Sequence, residues 1–286
     1  MKKFKIKSYC KINLTLNVLN KLRSGYHNIQ SIVTFCNLHD EIYVRKIFGA
    51  KDKIHFSGKF KKGINKKENT IIKVLKLLRE MNLLRQKRFE INIKKNIPHG
   101  SGLGGGSSNA ASLLDFLNSK MHLNLNDKKI NGIANQIGSD VPICLKKKNT
   151  IIQSKNKLLR LRKNFKLNIL IVYPNLVYLT KRVYDKNKIF SSPRSYSELI
   201  SKKEKKLISF LKNEKNDLEK AAKNLNPKIK ILIDFIKNIN GCNFSRISGS
   251  GSACIGIFSN MKAALYAKRL INLKFPKYWC RVSKSI

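Results

Sequence analysis

The hydrophobic and polar positions of the first half of the chain follow two different periods. Polar and apolar residues alternate over 12–19, 41–47 and 88–95, which is typical of half-buried β-strands. The segment 68–82 instead spaces its apolar side chains three and four residues apart, which predicts an amphipathic helix. After a glycine-rich stretch, the helical period returns at 107–117 and 127–136. We expect serine residues to cap the helix that begins at 107.

The pattern starts again after the polar run 146–150, with a strand of the buried type at 167–174. The remaining segments are predicted as helices near 180–187, 197–213, 226–238 and 260–272, and as strands at 244–248, 252–258 and 278–283. Strand and helix alternate without strict β-α-β regularity, which predicts an α+β fold. We therefore expect two domains, residues 1–152 and residues 153–286.

The charge of the chain is strongly positive, with a formal net charge of +44 and an isoelectric point near 10.3. Lysines are spread from Lys2 to Lys284 rather than gathered in a patch, which favours a compositional bias over a nucleic-acid surface. No aromatic RNA-binding motif or zinc pattern supports a nucleic-acid partner. Such a field should nevertheless attract phosphorylated small molecules.

The six cysteines form no C-x-x-C pair, and no histidine-rich cluster accompanies them. This spacing argues against a zinc site or a disulfide framework and favours free thiols in a reducing cytosol. The basic start of the chain lacks the unbroken apolar run of a secretory signal, and no run of about 18 apolar residues predicts a membrane span. We expect a cytoplasmic protein with no membrane partner, either a monomer or a homodimer.

Glycine occupies five of the seven positions from Gly100 to Gly106, between a predicted strand and a predicted helix. The first N–H groups of a helix have no partner inside it, and the helix dipole adds positive charge there. Glycines let the backbone wrap closely around a ligand and adopt positive φ. The stretch therefore predicts a phosphate-binding loop.

Two common phosphate loops do not fit this stretch. The spacing Gly100-x-Gly102-x-x-Gly105 matches the dinucleotide fingerprint, but Asp127, at the distance of its acidic residue, lies in a polar turn. The Walker loop needs a lysine after its last glycine, and here serine follows Gly106.

The segment from Pro98 to Ala110 resembles the ATP-binding loop of the GHMP kinases. Other segments carry the same resemblance, namely Tyr9–Leu14, Arg23–Ser31, Ile137–Pro142 and Arg246–Ala253. The first three resemble a branch of the family whose acceptor alcohol carries a cytidine diphosphate group. The resemblance implies an ATP-binding N-terminal domain like ribosomal S5 domain 2, and a ferredoxin-like C-terminal domain that completes the substrate cleft.

The implied reaction transfers the γ-phosphoryl group of ATP to the 2-hydroxyl of a methylerythritol moiety in the non-mevalonate isoprenoid route. On this resemblance, Lys11 and Asp140 are the catalytic pair. The cofactor-binding positions are Lys95, Pro98, His99, Gly100, Ser101, Gly102, Leu103, Gly104, Gly105, Gly106, Ser107 and Ser108. The substrate-binding positions are Asn13, Tyr26, His27 and Thr180.

The chemistry of these residue types suits phosphoryl transfer. A carboxylate at Asp140 can accept the proton of the attacking alcohol, and an ammonium at Lys11 can keep that carboxylate ionised. Mg²⁺ is expected to arrive with ATP, with no protein ligand assigned to it. Two positions depart from the family pattern: Lys181 stands where proline is common, and Cys10 where alanine is usual. A different GHMP kinase and a nucleic-acid-binding protein are the competing hypotheses.

Overall fold

The computed structural model describes residues 2–154, 157–196 and 204–286. Its strands are β1 (Lys3–Asn13), β2 (Asn17–Lys21), β3 (His27–Ile47), β4 (Lys53–Ser57), β5 (Arg88–Lys94), β6 (Thr150–Ser154), β7 (Lys157–Arg160), β8 (Asn168–Tyr173), β9 (Cys242–Ile247), β10 (Cys254–Phe258) and β11 (Trp279–Lys284). Its helices are α1 (Thr70–Glu80), α2 (Gly105–Lys120), α3 (Asp127–Ile137), α4 (Val141–Cys144), α5 (Thr180–Asp185), α6 (Glu204–Asn213), α7 (Leu218–Leu225), α8 (Lys228–Lys237) and α9 (Met261–Lys274).

The chain forms two compact units that interleave along the sequence. Unit 1 contains residues 1–11, 38–99 and 104–147, and unit 2 contains residues 12–37, 100–103 and 148–286. The domain boundary proposed at 152/153 divides the chain at a single point, and it stays a prediction. Among the described residues, no helix combines the length and the apolar character needed to cross a membrane.

Strand β5 organises unit 1. It pairs antiparallel with the end of β3, where Val44 lies opposite Ile91, and parallel with β4. Its side chains alternate as the sequence predicts, so that Phe89, Ile91 and Ile93 are buried and the residues between them are partly exposed. Helix α1 buries one apolar stripe, and it packs against α2 and α3.

Unit 2 contains a four-stranded antiparallel sheet in the order β11-β8-β10-β9. The two central strands are almost wholly buried, because helices supply one side of the core from residues such as Ile229, Ile236 and Ile271. The unit also contains the hairpin of β2 with the start of β3, and the pairing of β6 with β3 and β7.

The structure confirms most of the predicted elements and changes several. The strand predicted at 12–19 is interrupted, because the Leu14 N–H donates to Ile32 O while the Leu16 N–H donates to Lys215 O in another segment. Strand β1 before it, the first half of β3, and the elements β4, β6, β7, α4 and α7 were not predicted. The helix predicted at 197–213 is confirmed over Glu204–Asn213, and residues 197–203 lie outside the described residues.

Candidate active site

The middle of the glycine loop (residues 98–108), namely residues 100–103, is held within unit 2 by a second glycine-rich segment, Arg246–Ala253. The Ala253 N–H donates to Ser101 O at 3.0 Å, and the Ser248 hydroxyl donates to Gly102 O at 3.1 Å. A Cβ at Gly102 would lie 2.0 Å from Ser248 O, and its φ of 78° is in the left-handed region. Gly102 is therefore required by a close backbone approach. The two glycine-rich segments of the sequence are structural partners.

The end of the loop forms the N-terminus of α2 in unit 1. The helix begins at Gly105, and its N-cap is Gly104 with a φ of 65° and no side-chain cap. The expectation that serine caps this helix was wrong, because Ser107 and Ser108 lie inside its first turn. Ser108 is buried, and its hydroxyl donates to Cys144 Sγ at 3.3 Å. This sixteen-residue helix thus begins without a side-chain cap, and the backbone amides of such a helix start suit an anion.

Lys11 and Asp140 form an ion pair in unit 1, with 3.0 Å between Lys11 Nζ and Asp140 Oδ2. The lysine side chain is only 3% exposed, whereas the aspartate side chain is 38% exposed. A Cβ at Gly104 would lie 2.9 Å from Lys11 Cε, so the lysine stem lies directly against the end of the loop. Asp140 occupies the N-cap position of α4 but makes no side-chain cap bond there. Its carboxylate is therefore directed to the lysine rather than used to cap the helix.

Lys95 is buried beside the same helix start. Its ammonium forms an ion pair with Asp40, whose side chain is fully buried. The position of a Cβ at Gly105 would lie 3.3 Å from Lys95 Nζ. His99 lies near Gly63, and burial lowers the pKa of its imidazole, with a further lowering by the charge of Lys95. The sequence reasoning missed Asp40, whose one signal was the scarcity of acidic residues in the chain.

Asn13 and Thr180 both contact the second glycine-rich segment within unit 2. The Asn13 N–H donates to Ser248 Oγ at 3.1 Å, and its side-chain amide donates to Ser31 Oγ at 2.8 Å. Thr180 Oγ1 lies 3.2 Å from Ser250 Oγ, within hydrogen-bond distance. Two serines of one segment thus position two of the predicted substrate-binding residues.

The His27 ring stacks on Tyr184, with 4.7 Å between ring centroids and 28° between planes. Burial lowers the pKa of His27; Lys21 lowers it further, while Asp185 raises it. The neutral ring that results offers one donor and one acceptor nitrogen at neutral pH. Tyr26 beside it is 59% exposed. Tyr184 was missed from the sequence, although it follows Thr180 by one helical turn.

Unit 1 therefore brings together Lys11, Asp140, Lys95 and the end of the loop. Unit 2 brings the middle of the loop together with Asn13 and Thr180 through the second glycine-rich segment, and it places His27 on Tyr184. The arrangement offers a helix N-terminus for phosphate, a buried ammonium, and an accessible carboxylate paired with it. These are the parts that transfer of a phosphoryl group to an alcohol needs.

Comparison with known proteins agrees with this reading of the fold. The family model for the GHMP kinases N-terminal domain matches residues 69–148, and the GHMP kinases C-terminal model matches residues 198–276. The chain belongs to the GHMP kinases and, within them, to the family of the 4-diphosphocytidyl-2-C-methyl-D-erythritol kinases.

The assignment to this kinase family within the GHMP kinases rests on relatives that match almost over their full length. A protein of that name from Pelagibacter ubique is 40% identical over 288 residues, with 100% of both chains covered. A protein of the same name from Wolbachia pipientis wMel is 35% identical, with 98% of this chain and 97% of the relative covered. A third, from Anaplasma marginale (strain Florida), is 31% identical over 98% of this chain and 96% of its own.

Solved structures share the fold. A crystal structure of 4-(cytidine 5'-diphospho)-2C-methyl-D-erythritol kinase superimposes with a TM-score of 0.77 at 24% identity, covering 98% of this chain and 99% of the other. Homoserine kinase from Cytophaga hutchinsonii gives a TM-score of 0.75 at 18% identity, covering 100% and 95%. At these identities the structural matches establish the α+β GHMP kinase architecture alone.

Proposed function

We propose that this protein transfers the γ-phosphoryl group of ATP to the 2-hydroxyl of 4-diphosphocytidyl-2-C-methyl-D-erythritol, a step of the non-mevalonate isoprenoid route. The observation that carries the proposal is the Lys11–Asp140 pair, with 3.0 Å between its charged atoms and its lysine stem against Gly104. The full-length relatives bear the name of this kinase, which supports the choice of acceptor.

The glycine loop, residues 98–108, binds the triphosphate. Backbone amides at the start of α2 donate to phosphate oxygens, and the helix dipole favours their negative charge. Lys95 adds a positive charge close to Gly105. Of the two serines in the first turn, Ser107 is the one available to a ligand, because Ser108 is buried against Cys144.

Asp140 is the group that receives the proton. The acceptor hydroxyl oxygen attacks the γ-phosphorus, the bond to the bridging oxygen breaks, and ADP leaves with that electron pair. The hydroxyl proton passes to the Asp140 carboxylate. Because phosphoryl transfer has a loose transition state, this proton moves late, and Asp140 acts first by orienting the hydroxyl. Lys11 pairs with the carboxylate and stabilises charge on the oxygens around the reacting phosphorus.

Mg²⁺ is the metal that this reaction calls for. Across residues 2–154, 157–196 and 204–286, no three acidic, histidine or cysteine side chains are grouped as a metal site. We assign no protein ligand to Mg²⁺, which is often held chiefly by phosphate oxygens and water. When bound, it neutralises charge on the transferring phosphoryl group.

The cytidine end of the acceptor is assigned to unit 2. His27 offers a donor and an acceptor to the edge of cytosine, and exposed Tyr26 offers an aromatic face. Asn13 and Thr180 are assigned to the sugar-alcohol part of the acceptor, where the serines of the second glycine-rich segment hold them.

The test is a coupled assay of ADP release with a panel of alcohols: 4-diphosphocytidyl-2-C-methyl-D-erythritol, homoserine and mevalonate. We expect ADP to form only with the first, and ³¹P NMR to show a new phosphate monoester on its methylerythritol carbon chain. A clear preference for homoserine or mevalonate would make the protein a different GHMP kinase. Binding of RNA with a steep salt dependence and no turnover of any alcohol would favour a nucleic-acid function instead.

A further inference from the structure

We propose that Asp40 is a positioning residue for the phosphate loop, acting through Lys95 and through the backbone that enters the loop. This inference rests on the proposed function, because it concerns how the phosphates of ATP are held. Asp40 lies in β3, outside the residues assigned to the site by sequence.

The Asp40 carboxylate accepts hydrogen bonds from three consecutive residues. It pairs with the Lys95 ammonium, and its Oδ1 accepts the backbone N–H of Asn96 at 2.7 Å and of Ile97 at 2.8 Å. The next residue is Pro98, whose ring restricts φ. One fully buried side chain therefore fixes the direction in which the chain enters the glycine loop.

The backbone of Lys95 is held from two sides. Its N–H donates to Ser57 O at 2.8 Å, and its carbonyl accepts the Phe60 N–H at 3.3 Å. A Cβ at Gly58 would lie 2.6 Å from Lys95 O, which shows how closely this backbone is packed. With its backbone held and its ammonium paired with Asp40, Lys95 lies against Gly105, the first residue of α2. The charge is thus placed where the helix N-terminus already favours anions.

A second, half-buried carboxylate of unit 1 provides a comparison. Asp52 accepts three hydrogen bonds from Arg79, one from Nε at 3.1 Å and two from Nη2 at 2.8 and 2.6 Å, and the backbone N–H of Phe89 at 2.8 Å. Like Asp40, it binds one basic side chain and the backbone near one end of β5, with one backbone N–H here and two at Asp40. Asp52 binds the backbone at the start of β5, whereas Asp40 binds the backbone just after the end of β5, where the chain enters the glycine loop.

The test compares Asp40→Asn with Asp52→Asn in the full-length protein, using calorimetric titration with ATP and with adenosine. Asparagine offers one acceptor oxygen for three donors and no charge to balance Lys95. We expect Asp40→Asn to weaken ATP binding at least about tenfold and adenosine binding less than about twofold, because phosphate contacts are the ones displaced. We expect Asp52→Asn to change neither ligand by more than about twofold.

Two results would overturn the inference: ATP binding as tight in Asp40→Asn as in the wild type, or a loss that is equal for ATP and adenosine. If Asp40→Asn does not fold, the double variants D40N/K95M and D52N/R79M remove each pair whole and leave no buried charge alone. The first should lose ATP affinity and the second should keep it; equal affinities would overturn the inference. A wild-type protein that binds no ATP would instead refute the proposed function.

Discussion

Two lysine–carboxylate pairs lie in the same compact unit and contact neighbouring glycines, yet they differ in how far solvent reaches them. Lys11 lies against Gly104 and Lys95 lies against Gly105, and both lysine side chains are 3% exposed. Asp140 is 38% exposed, whereas Asp40 is completely buried. A carboxylate open to solvent can receive a proton from a substrate, while one enclosed by three donors can only hold its surroundings in place. The difference separates a chemical role from a positioning role.

The largest difference between the two pairs should be in catalysis, and Asp140→Asn should show it. An amide cannot accept the hydroxyl proton, so we expect kcat/KM for the acceptor to fall about 10²–10⁴-fold with the fold intact. Steady-state kinetics with circular dichroism checks both statements. Asp127→Asn is the control, because Asp127 also pairs with a lysine, Lys146, at 3.0 Å on an exposed surface. Full activity in Asp140→Asn would remove its proposed role.

The second effect concerns stability. Here Asp40→Asn should cost more than Asp140→Asn. Asp40→Asn leaves Lys95 buried without a counter-charge, so we expect the free energy of unfolding to fall by about 3–5 kcal/mol. Asp140→Asn also removes a charge partner from a buried lysine, but its carboxylate is 38% exposed, so water reaches this side of the pair and the cost should be smaller, about 1–3 kcal/mol. Urea unfolding of both variants gives the comparison. Equal losses would mean that burial does not distinguish the pairs.

A smaller effect is expected at the glycine that contacts Lys11. Gly104→Ala forces a left-handed φ on alanine and places a Cβ 2.9 Å from Lys11 Cε. We expect a loss of stability of about 1–2 kcal/mol and a kcat reduced about tenfold through displacement of the lysine. Gly132→Ala in α3 is the control, since a Cβ there meets nothing within 4 Å. Helix propensity predicts that this control gains about 0.5–1 kcal/mol. Unchanged turnover in Gly104→Ala would show that Lys11 does not need its contact with the loop.

The smallest effect should appear at His99, which reports the charge of Lys95. Burial and Lys95 both lower the pKa of His99 below its ordinary value of 6.5. Lys95→Met should raise the pKa of His99 in an NMR titration, because it removes the positive charge that lowers that pKa, and Asp52→Asn should leave it unchanged. Because the folded pKa is the lower one, the unfolded chain binds more protons, and stability is lost as pH falls below about 6.5. His99→Gln should reduce that loss; an unchanged pH dependence would contradict the assignment.

Much of the fold could be predicted because the period of the apolar residues reports local structure directly. Helix α1 is an example, since its stripe of Ile71, Val74, Leu75 and Leu78 is visible in the sequence and buried in the structure. Strand β1 was missed although the lysine and apolar residues at 3–7 alternate as in a half-buried strand; its pairing with β3 depends on residues far along the chain. The interruption at Leu14–Leu16 likewise depends on partners far along the chain.

The residues of the candidate site also fall into two groups, those that could be predicted from the sequence and those that could not. The glycine loop could be predicted from its own composition and spacing, whereas Lys11 and Asp140 were assigned through the family resemblance of the short segments that contain them. Asp40 and Tyr184 could not be predicted, because what matters about each is a partner: Lys95 lies 55 residues from Asp40, and His27 lies far from Tyr184. Positioning by tertiary contact leaves no local pattern in a single sequence.

The most direct test of the account is the rate of phosphoryl transfer at saturating concentrations of both ATP and the acceptor alcohol, measured by rapid quench for Asp140→Asn and Asp40→Asn. Saturation removes differences in ATP affinity and leaves the chemical step. We predict that Asp140→Asn stays at least about 100-fold below the wild type, while Asp40→Asn comes within about threefold of it. A chemical step that survives the loss of the Asp140 carboxylate, or that fails equally in both variants, would contradict the account.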